Sequence, residues 1–111
     1  MLKQEGRIGK IYYSIGEVAE MFEVNQSLIR YWEKEFEILK PKKNIKGNRQ
    51  FTREDIDNLR IIYHLVKERG YTLSGAKDKL KHNRADVEKS VEIVDSLKRI
   101  RTYLLEIKEE L

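Results

Sequence analysis

Two short segments near the start of the chain carry apolar residues at the spacing of amphipathic helices. In the first segment, steps of three and four residues separate Ile15, Val18, Ala19 and Phe22. This spacing places the four side chains on one face and predicts a helix over about residues 15–22. Ser14 and Glu17 stand three residues apart, the spacing at which each side chain caps a free backbone N–H of the first turn. The helix should therefore begin directly after Ser14.

The second segment follows a tight turn at Glu23 and Val24. Its apolar positions are Leu28, Ile29, Tyr31, Trp32 and Phe36. They favour a helix over about residues 26–35, and Asn25 before it is a residue type that often caps a helix N-terminus. A short helix, a tight turn and a second helix opened by a polar residue form the helix-turn-helix pattern of DNA-reading proteins. Because many helical hairpins share this pattern, it needs support from the rest of the chain.

Between residues 39 and 51 the pattern changes to that of a loop with short strands. Pro41 stops the preceding helix, and turn-forming residues stand between two possible strands at Asn44, Gly47 and Asn48. This arrangement predicts a β-hairpin, or wing, directly behind the helix-turn-helix.

A third helix is predicted from a second capping pair, Thr52 and Asp55, to about Arg69. Its apolar positions are Ile56, Leu59, Ile62, Tyr63 and Val66. Gly70 should end this helix, because glycine readily adopts the left-handed conformation found after many helix C-termini.

The remainder of the chain is predicted to form a short fourth helix and a long final one. Either Thr72 or Ser74 should cap the fourth helix, which ends near Leu80 ahead of a polar stretch. The final helix, over residues 84–111, has apolar residues at steps of 4, 3, 3, 3, 4, 3 and 4: Val87, Val91, Val94, Leu97, Ile100, Leu104, Ile107 and Leu111. This is close to the heptad seam of a coiled coil. Since the seam has no evident partner in so small a chain, we expect it to pair with the same helix of a second copy.

The positive charge of the chain is concentrated in the predicted wing. The chain has 111 residues and a formal net charge of +4. Five cations follow each other in the wing without an intervening acid: Lys40, Lys42, Lys43, Lys46 and Arg49. Such a cluster beside a helix-turn-helix favours contact with phosphates, although many lysine-rich loops are merely solvated. Residues 1–11 lack a sustained pattern, so we expect a flexible N-terminal arm there.

Several kinds of chemistry lack candidate residues. The chain has no cysteine, which excludes disulfides, thiolate metal sites and a cysteine nucleophile. His64 and His82 have no further ligands at metal-binding spacing, and neither a nucleophile motif nor a glycine-rich phosphate loop occurs. We therefore expect neither an enzyme nor a bound cofactor or metal. No apolar run approaches the about 18 residues that a membrane span needs, so we expect a cytoplasmic protein without a membrane partner.

Six short motifs occur in one order along the chain. They are Tyr13–Ala19, Ile29–Glu33, Leu39–Pro41, Asn48–Thr52, Asp55 and Gly70–Leu73. Together they resemble the MerR family of transcription regulators over roughly residues 12–81. The resemblance implies a mostly α-helical fold, in which residues 12–81 form a winged helix-turn-helix DNA-binding domain with a two-helix second wing. Residues 84–111 are then a dimerisation helix that forms an antiparallel coiled coil.

The resemblance also implies partners and a mechanism. It implies a bacterial, nucleoid-associated homodimer that binds double-stranded DNA at a pseudo-palindromic promoter operator. The dimer bends and untwists the operator, which affects how RNA polymerase uses the promoter. Family members that sense metals, oxidants or drugs use cysteines or a further domain, so we expect no small-molecule effector here. Regulation is then by abundance or by a partner, or these residues are a fragment of a longer protein.

Residues of the second helix receive roles from the resemblance. Arg30 and Tyr31 match a pair that reaches phosphates at the edge of the major groove. Gln26, Ser27 and Leu28, in the first turn, are the candidates for reading bases. The full set of predicted DNA contacts is Ser14, Gln26, Ser27, Leu28, Arg30, Tyr31, Lys40, Lys42, Lys43, Lys46 and Arg49.

The chain departs from the common family pattern at three positions. Many members carry Arg or Lys in place of Ser27 and Thr in place of Leu28, and an aromatic residue is frequent in place of Asn48. The operator therefore cannot be copied from relatives. Trp32, the only tryptophan, should pack in the core rather than stack on a base, as large aromatic side chains mostly do.

Two other functions use the same kind of fold. One is a protein-interaction module of the type that modulates co-chaperones, and the other is an architectural or recombination-directionality DNA binder. The basic wing, together with Arg30 and Tyr31, favours DNA over the first alternative.

Overall fold

The helices and strands follow the order of a winged helix-turn-helix, as predicted. The computed structural model describes residues 11–111, so the arm predicted over residues 1–11 lies outside it apart from Ile11. The elements are α1 (Ile15–Phe22), α2 (Gln26–Glu35), β1 (Lys42–Lys43), β2 (Arg49–Gln50), α3 (Arg53–Tyr63), a π-helical turn (His64–Glu68) and α4 (Leu73–Glu110). Helix α1 packs against α2, while α3 and the π-helical turn pack against α4. In this part of the chain no helix combines the length and the apolar character needed to cross a membrane.

Helices α1 and α2 begin and end where the sequence predicts. The Ser14 hydroxyl accepts a hydrogen bond from the Glu17 amide at 3.1 Å, and the Glu17 carboxylate accepts one from the Ser14 amide at 2.9 Å. Glu23 ends α1 in the left-handed conformation, with a φ of 55°. Asn25 precedes α2, but its backbone carbonyl, rather than its side chain, accepts the hydrogen bond from the Leu28 amide at 3.1 Å. Asn25 therefore stands at the predicted N-cap position, but its side chain does not form the capping hydrogen bond.

The predicted wing is a two-stranded antiparallel hairpin. Its register pairs are Lys42 with Gln50 and Lys43 with Arg49. The side-chain oxygen of Asn44 organises the turn, because it accepts hydrogen bonds from the amides of Lys46 and Asn48 at 2.9 and 3.0 Å. Gly47 has a φ of 80°, a conformation that glycine adopts without steric cost.

The base of the hairpin is tied to the segment that precedes α1. Tyr13 and Phe51 exchange two backbone hydrogen bonds, each 2.8 Å long, and both side chains are buried. The hairpin therefore starts from a fixed point on the helix-turn-helix.

Helix α3 begins with the second predicted capping box and ends differently from the prediction. The Thr52 hydroxyl accepts a hydrogen bond from the Asp55 amide at 3.2 Å, and the Asp55 carboxylate accepts one from the Thr52 amide at 3.0 Å. The prediction of an α-helix as far as Arg69 is wrong in its last part, because the final turn is π-helical. There the Arg69 amide donates to the His64 carbonyl, five residues earlier, at 2.8 Å. His64 and Glu68 form side-chain contacts with α4 across this turn, and a helical spacing of apolar residues does not reveal such contacts.

The connection to α4 contains the predicted glycine, and it shows which of the two candidate residues caps the helix. Gly70 ends the preceding helix with a φ of 71°. Thr72, rather than Ser74, then caps α4, because its hydroxyl accepts a hydrogen bond from the Gly75 amide at 3.0 Å.

Helix α4 is interrupted once. Asn83 has non-helical φ and ψ angles of −136° and 39°. We call residues 73–82 and residues 84–110 the N-terminal and C-terminal segments of α4. They correspond to the fourth and final helices of the sequence prediction.

The core lies between α1, α2, α3 and the start of the C-terminal segment. Its largest fully buried apolar side chains are Trp32, Phe51, Ile29, Leu39, Ile56, Leu59 and Ile62. The Trp32 ring meets Tyr63 edge-on, with ring centroids 6.5 Å apart, and the Phe22 ring lies 5.7 Å from the same tyrosine. The core position predicted for Trp32 is confirmed.

The apolar seam predicted along the final helix is divided between two environments. Val87 and Val91 belong to the core, with 2% and 8% of their surface exposed, and Val94 is half-buried. The expectation that the seam has no partner in the chain is therefore wrong for Val87 and Val91, which pack in the core of their own chain. The exposed remainder of the predicted seam consists of Leu97, Ile100, Leu104, Ile107 and Leu111.

Candidate nucleic-acid interface

One face of α2 is exposed along the length of the helix. The residues on this α2 face are Gln26, Ser27, Arg30, Tyr31 and Lys34. They recur at steps of three and four residues, and the buried Ile29 and Trp32 occupy the other side of the helix. The face combines two cations, a phenolic hydroxyl and two uncharged polar side chains. Such groups donate hydrogen bonds to phosphates and base edges.

The three residues predicted to face the bases differ in their surroundings. Ser27 is exposed, whereas Leu28 is half-buried and packs against the core. The side-chain amide nitrogen of Gln26 lies 3.4 Å from the position that a Cβ atom on Gly16 would occupy. The Gln26 side chain therefore extends over the first turn of α1, where glycine leaves room for it. Ser27 presents its hydroxyl to solvent, while the other two side chains are partly engaged within the domain.

Ser14 combines a capping role with exposure at the N-terminus of α1. Its hydroxyl oxygen accepts the hydrogen bond from the Glu17 amide, so the hydroxyl hydrogen remains a donor for a phosphate oxygen. Its backbone amide already donates to the Glu17 carboxylate. A phosphate at this position would meet the Ser14 hydroxyl with an acidic side chain beside it.

Arg49 of β2 forms an ion pair with Glu33 of α2. Both side chains are largely buried, with 24% and 20% of their surface exposed. Arg49 thus differs from the wing lysines, because its charge has an acidic partner within the chain, while its contact with DNA stays a prediction. Arg49 joins the hairpin to α2. The count of cations in the wing does not reveal this role, since the partner stands 16 residues earlier.

The predicted lysine contacts all lie on the surface of the wing. These exposed residues are Lys40, Lys42, Lys43 and Lys46. At the tip of the hairpin, Ile45 is fully exposed between them. Because the Arg49–Glu33 pair holds β2 against α2, the wing lysines stand in a fixed relation to the α2 face.

Lys34 is a candidate contact that the sequence motifs do not mark. It is exposed and stands four residues after Arg30, on the same face of α2. The helical spacing from Arg30 was the available signal, and the motif resemblance ends one residue before Lys34.

The described part of the chain has grooves beside α2 and α3 but no cluster of metal-binding side chains. Within residues 11–111, no three His, Asp or Glu side chains are grouped closely enough to hold a metal ion. A groove of about 510 Å³ between α2 and the N-terminal segment of α4 is lined by both acidic and basic residues, among them Glu35 and Lys77, which form an ion pair at 3.0 Å. A second groove, of about 700 Å³ between α3 and the C-terminal segment, also carries charges of both signs. There, burial raises the pKa of Asp57 against the opposing effect of Arg53.

Comparison with known sequences identifies relatives among regulators. Residues 13–83 match the family described as MerR HTH family regulatory protein. The HTH-type transcriptional regulator MlrA of Escherichia coli (strain K12) is 33% identical over 92 residues, which cover 83% of this chain and 37% of MlrA. The mercuric resistance operon regulatory protein of Bacillus cereus is 30% identical over 111 residues, covering 87% of this chain and 83% of that protein. The chain thus spans little more than a third of the length of MlrA and most of the length of the second relative.

Comparison with solved structures shows the same fold. A transcriptional regulator of the MerR family from Bacillus thuringiensis has a TM-score of 0.55 and 26% identity, covering 90% of this chain and 96% of its own. HiNmlR, a MerR family regulator lacking the sensor domain and crystallised bound to promoter DNA, has a TM-score of 0.55 and 22% identity. That comparison covers 88% of this chain and 87% of HiNmlR, and it bears on the fold alone. The resemblance that the sequence motifs indicate is confirmed. The chain belongs to the MerR helix-turn-helix family of regulatory proteins.

Proposed function

We propose that this chain regulates transcription by binding double-stranded DNA through the α2 face and the wing lysines. The observation that carries the proposal is the Arg49–Glu33 ion pair, which holds the basic hairpin beside that face. A helix and a hairpin in a fixed relation suit the major groove and the neighbouring backbone of one duplex. The names of the curated relatives, a transcriptional regulator and an operon regulatory protein, support the same function.

The residues of α2 have two roles: some position the helix on the DNA backbone, and others read the bases. Arg30, Tyr31 and Lys34 contact phosphates, because they lie beyond the first turn, where the helix passes the edge of the groove. Ser27 contacts a base edge directly, and Gln26 reaches one after leaving its place over the first turn of α1. The wing lysines add phosphate contacts that are independent of sequence, so binding should depend strongly on salt.

The chain acts as a homodimer through an exposed apolar row on the C-terminal segment. The row consists of four residues of the predicted seam, with 53% to 62% of their surface exposed: Leu97, Ile100, Leu104 and Ile107. Their spacing follows the heptad pattern of a coiled coil, and a row of apolar side chains is stabilised when a second helix removes it from water. An antiparallel pair of C-terminal segments covers the row and presents two copies of α2 to one duplex.

A dimer of this kind binds a pseudo-palindromic promoter operator in the bacterial cytoplasm, in association with the nucleoid. Bending and untwisting of the operator brings the promoter into a form that RNA polymerase can use, which is recognition through DNA deformation. The proposed activity is regulation without a catalytic step.

Selection of bound sequences from a library of random duplexes tests the proposal. We expect two inverted half-sites whose centres are about 34–36 Å apart or a multiple of that distance. Arg30→Gln should weaken binding to all sequences alike, whereas Ser27→Arg should change the selected sequence, because an arginine at this position favours guanine. Lys89→Gln, at an exposed position on α4, is the matched control for loss of a cation. A chain that binds no duplex even below physiological salt would contradict the proposal and favour a protein-interaction module.

A further inference from the structure

A group of polar side chains joins α3 and the π-helical turn to the C-terminal segment of α4. We call it the Glu68 cluster, and its members are Arg60, His64, Glu68, Ser90, Asp95 and Lys98. On the α3 side, the same Glu68 oxygen accepts a hydrogen bond from Arg60 at 3.0 Å and lies 2.8 Å from Nδ1 of His64. His64 is buried, with 1% of its side chain exposed, and Arg60 is nearly so, with 10%.

Three contacts of the Glu68 cluster cross to the C-terminal segment. They join His64 to the Ser90 hydroxyl at 2.9 Å, Arg60 to the Asp95 carboxylate, and Glu68 to the Lys98 ammonium group. The three residues on α4 span about two helical turns, so the contacts hold the segment at more than one point along its axis.

The charges of the cluster compensate one another. Burial alone would raise the pKa of Glu68, but hydrogen bonds from Lys98, His64 and Arg60 outweigh this effect and lower the pKa to about 2. Partly buried charges that are paired and hydrogen-bonded require a defined geometry, because displacing one partner leaves another without compensation. An apolar contact of the same size would tolerate sliding more readily.

The π-helical turn brings Glu68 into the cluster. In a regular α-helix, residue 68 would be rotated by about 80° around the axis from residue 60, since eight residues make slightly more than two turns. The wider turn over His64–Glu68 accommodates one additional residue and returns Glu68 to the side on which Arg60 and His64 lie. The irregular turn and the polar contacts to α4 are therefore parts of one arrangement.

The Glu68 cluster is also the last set of contacts before α4 leaves the domain. From residue 97 to residue 111 all side chains are exposed. Between Lys98 and Glu110 the helix extends for roughly 18 Å, so a tilt of about 10° at the cluster moves the end of the helix by roughly 3 Å. This displacement is close to the rise of one base pair, about 3.4 Å.

We infer that the Glu68 cluster fixes the direction in which the C-terminal segment leaves the DNA-binding domain. In the homodimer, this direction sets the separation and relative rotation of the two α2 helices. The cluster therefore determines which spacing of half-sites the dimer accepts. The statement on half-site spacing rests on the proposed function, whereas the direction of the segment is a property of the single chain.

A distance measurement without DNA tests the direction of the segment. The chain has no native cysteine, so spin labels can be placed at Glu20→Cys on α1 and Glu109→Cys near the end of α4, both at exposed positions. Labelled chains are mixed with an excess of unlabelled chains, so that few dimers carry two labelled copies. We expect one narrow distance distribution for the wild-type chain and a broad one for Glu68→Gln. Glu35→Gln, which removes the charge that pairs with Lys77 of the N-terminal segment, is the matched control and should keep the distribution narrow.

Binding to duplexes of graded half-site spacing tests the consequence for DNA. One additional base pair moves a half-site by about 3.4 Å and rotates it by about 35°. We expect the wild-type dimer and Glu35→Gln to lose about tenfold in affinity for this change, and Glu68→Gln to lose less than about threefold. Affinity for a duplex with a single half-site should stay within about twofold of the wild-type value in all three proteins, because the α2 face is unchanged.

A second variant guards against loss of the fold. Lys98→Gln removes a cluster partner whose side chain is 44% exposed, and it should shift both measurements in the same direction as Glu68→Gln but less far. A narrow distance distribution in both cluster variants would overturn the positioning role. Unchanged spacing preference, with a broadened distribution, would overturn the link to half-site spacing. Absence of binding to any duplex by the wild-type chain would overturn the proposed function and, with it, the link to spacing.

Discussion

Glu33 and Arg49 lie on different elements and meet in an ion pair between α2 and β2. Each side chain is only partly exposed, so water screens their attraction less than that of a surface pair. In the proposed function, a cation with such a partner supports DNA binding by holding the hairpin in place. An exposed lysine would support it by releasing counterions from phosphates. The two roles differ in how binding responds to salt.

The salt dependence of binding therefore separates Arg49 from the wing lysines. Arg49→Gln should weaken binding by up to about fivefold, because partly exposed ion pairs contribute up to about 1 kcal/mol. It should leave the slope of log affinity against log salt nearly unchanged. Lys46→Gln should reduce the magnitude of that slope by about 0.9, the contribution of one neutralised phosphate. Equal changes of slope in the two variants would show that Arg49 contacts a phosphate directly.

Individual residues could be predicted from the sequence where their environment depends on their own chemistry or on near neighbours. The core position of Trp32 follows from its size and apolar surface, and the caps at Ser14 and Thr52 follow from a carboxylate three residues later. The partner of Arg49 stands 16 residues away and lies on another element. A charge count records the cation and not its acidic partner, so the sequence does not reveal that this charge is compensated within the chain.

The ends of the helices could likewise be predicted where near neighbours determine them, and not where distant residues do. Helices α1 and α2 have the predicted bounds because their ends are determined by residues inside a five-residue window, such as Ser14 with Glu17. The π-helical turn was not predicted, because the contacts that accompany it join His64 and Glu68 to Ser90 and Lys98, 26 and 30 residues away. Apolar spacing likewise could not separate the buried Val87 and Val91 from the exposed apolar residues that follow. All of them repeat with the same period.

The start of α4 offers a direct comparison of two possible caps. Thr72→Ala should lower the free energy of unfolding by about 1 kcal/mol, because the Gly75 amide loses the side-chain oxygen that accepts its hydrogen bond. Ser74→Ala should change it by less than about 0.5 kcal/mol, since Ser74 is an exposed residue within the first turn. Urea unfolding followed by circular dichroism measures both. A larger loss of stability for Ser74→Ala than for Thr72→Ala would contradict the assignment of the cap to Thr72.

At the scale of the described chain, residues 11–111, the winged helix-turn-helix is joined to the C-terminal segment by two kinds of contact. Val87 and Val91 provide apolar packing at this junction, and the Glu68 cluster provides directed contacts. The second contribution depends on the charges of two carboxylates, Glu68 and Asp95. Its strength should therefore change with pH, while the apolar packing should not.

Acid should weaken the junction over a defined range of pH. The pKa of Glu68 is about 2 in the folded chain, below its ordinary value of 4.5, so the ionised group stabilises the fold above pH 4.5. This stabilisation is lost as the pH falls from 4.5 towards 2. The difference in free energy of unfolding between the wild-type chain and Glu68→Gln should be largest near pH 6. At about pH 3 the difference should be smaller. Urea titrations at both pH values measure it, and a difference that stays constant would show that Glu68 is not held ionised by its partners.

In the proposed dimer, the exposed apolar row of the C-terminal segment joins two domains that act on one duplex. Leu104→Lys places a charge in the middle of the row and should convert a dimer into a monomer of 13.3 kDa, as measured by light scattering. Thr102→Lys adds the same charge two residues earlier, about 200° away around the helix, and should leave the mass at the dimer value. Because a monomer engages one half-site at a time, Leu104→Lys should lose about 10²-fold or more in affinity for a two-site duplex. Its affinity for a single half-site should remain that of the wild-type domain. If Leu104→Lys remains dimeric, the interface lies elsewhere, and the exposed row is not the surface that joins the two copies.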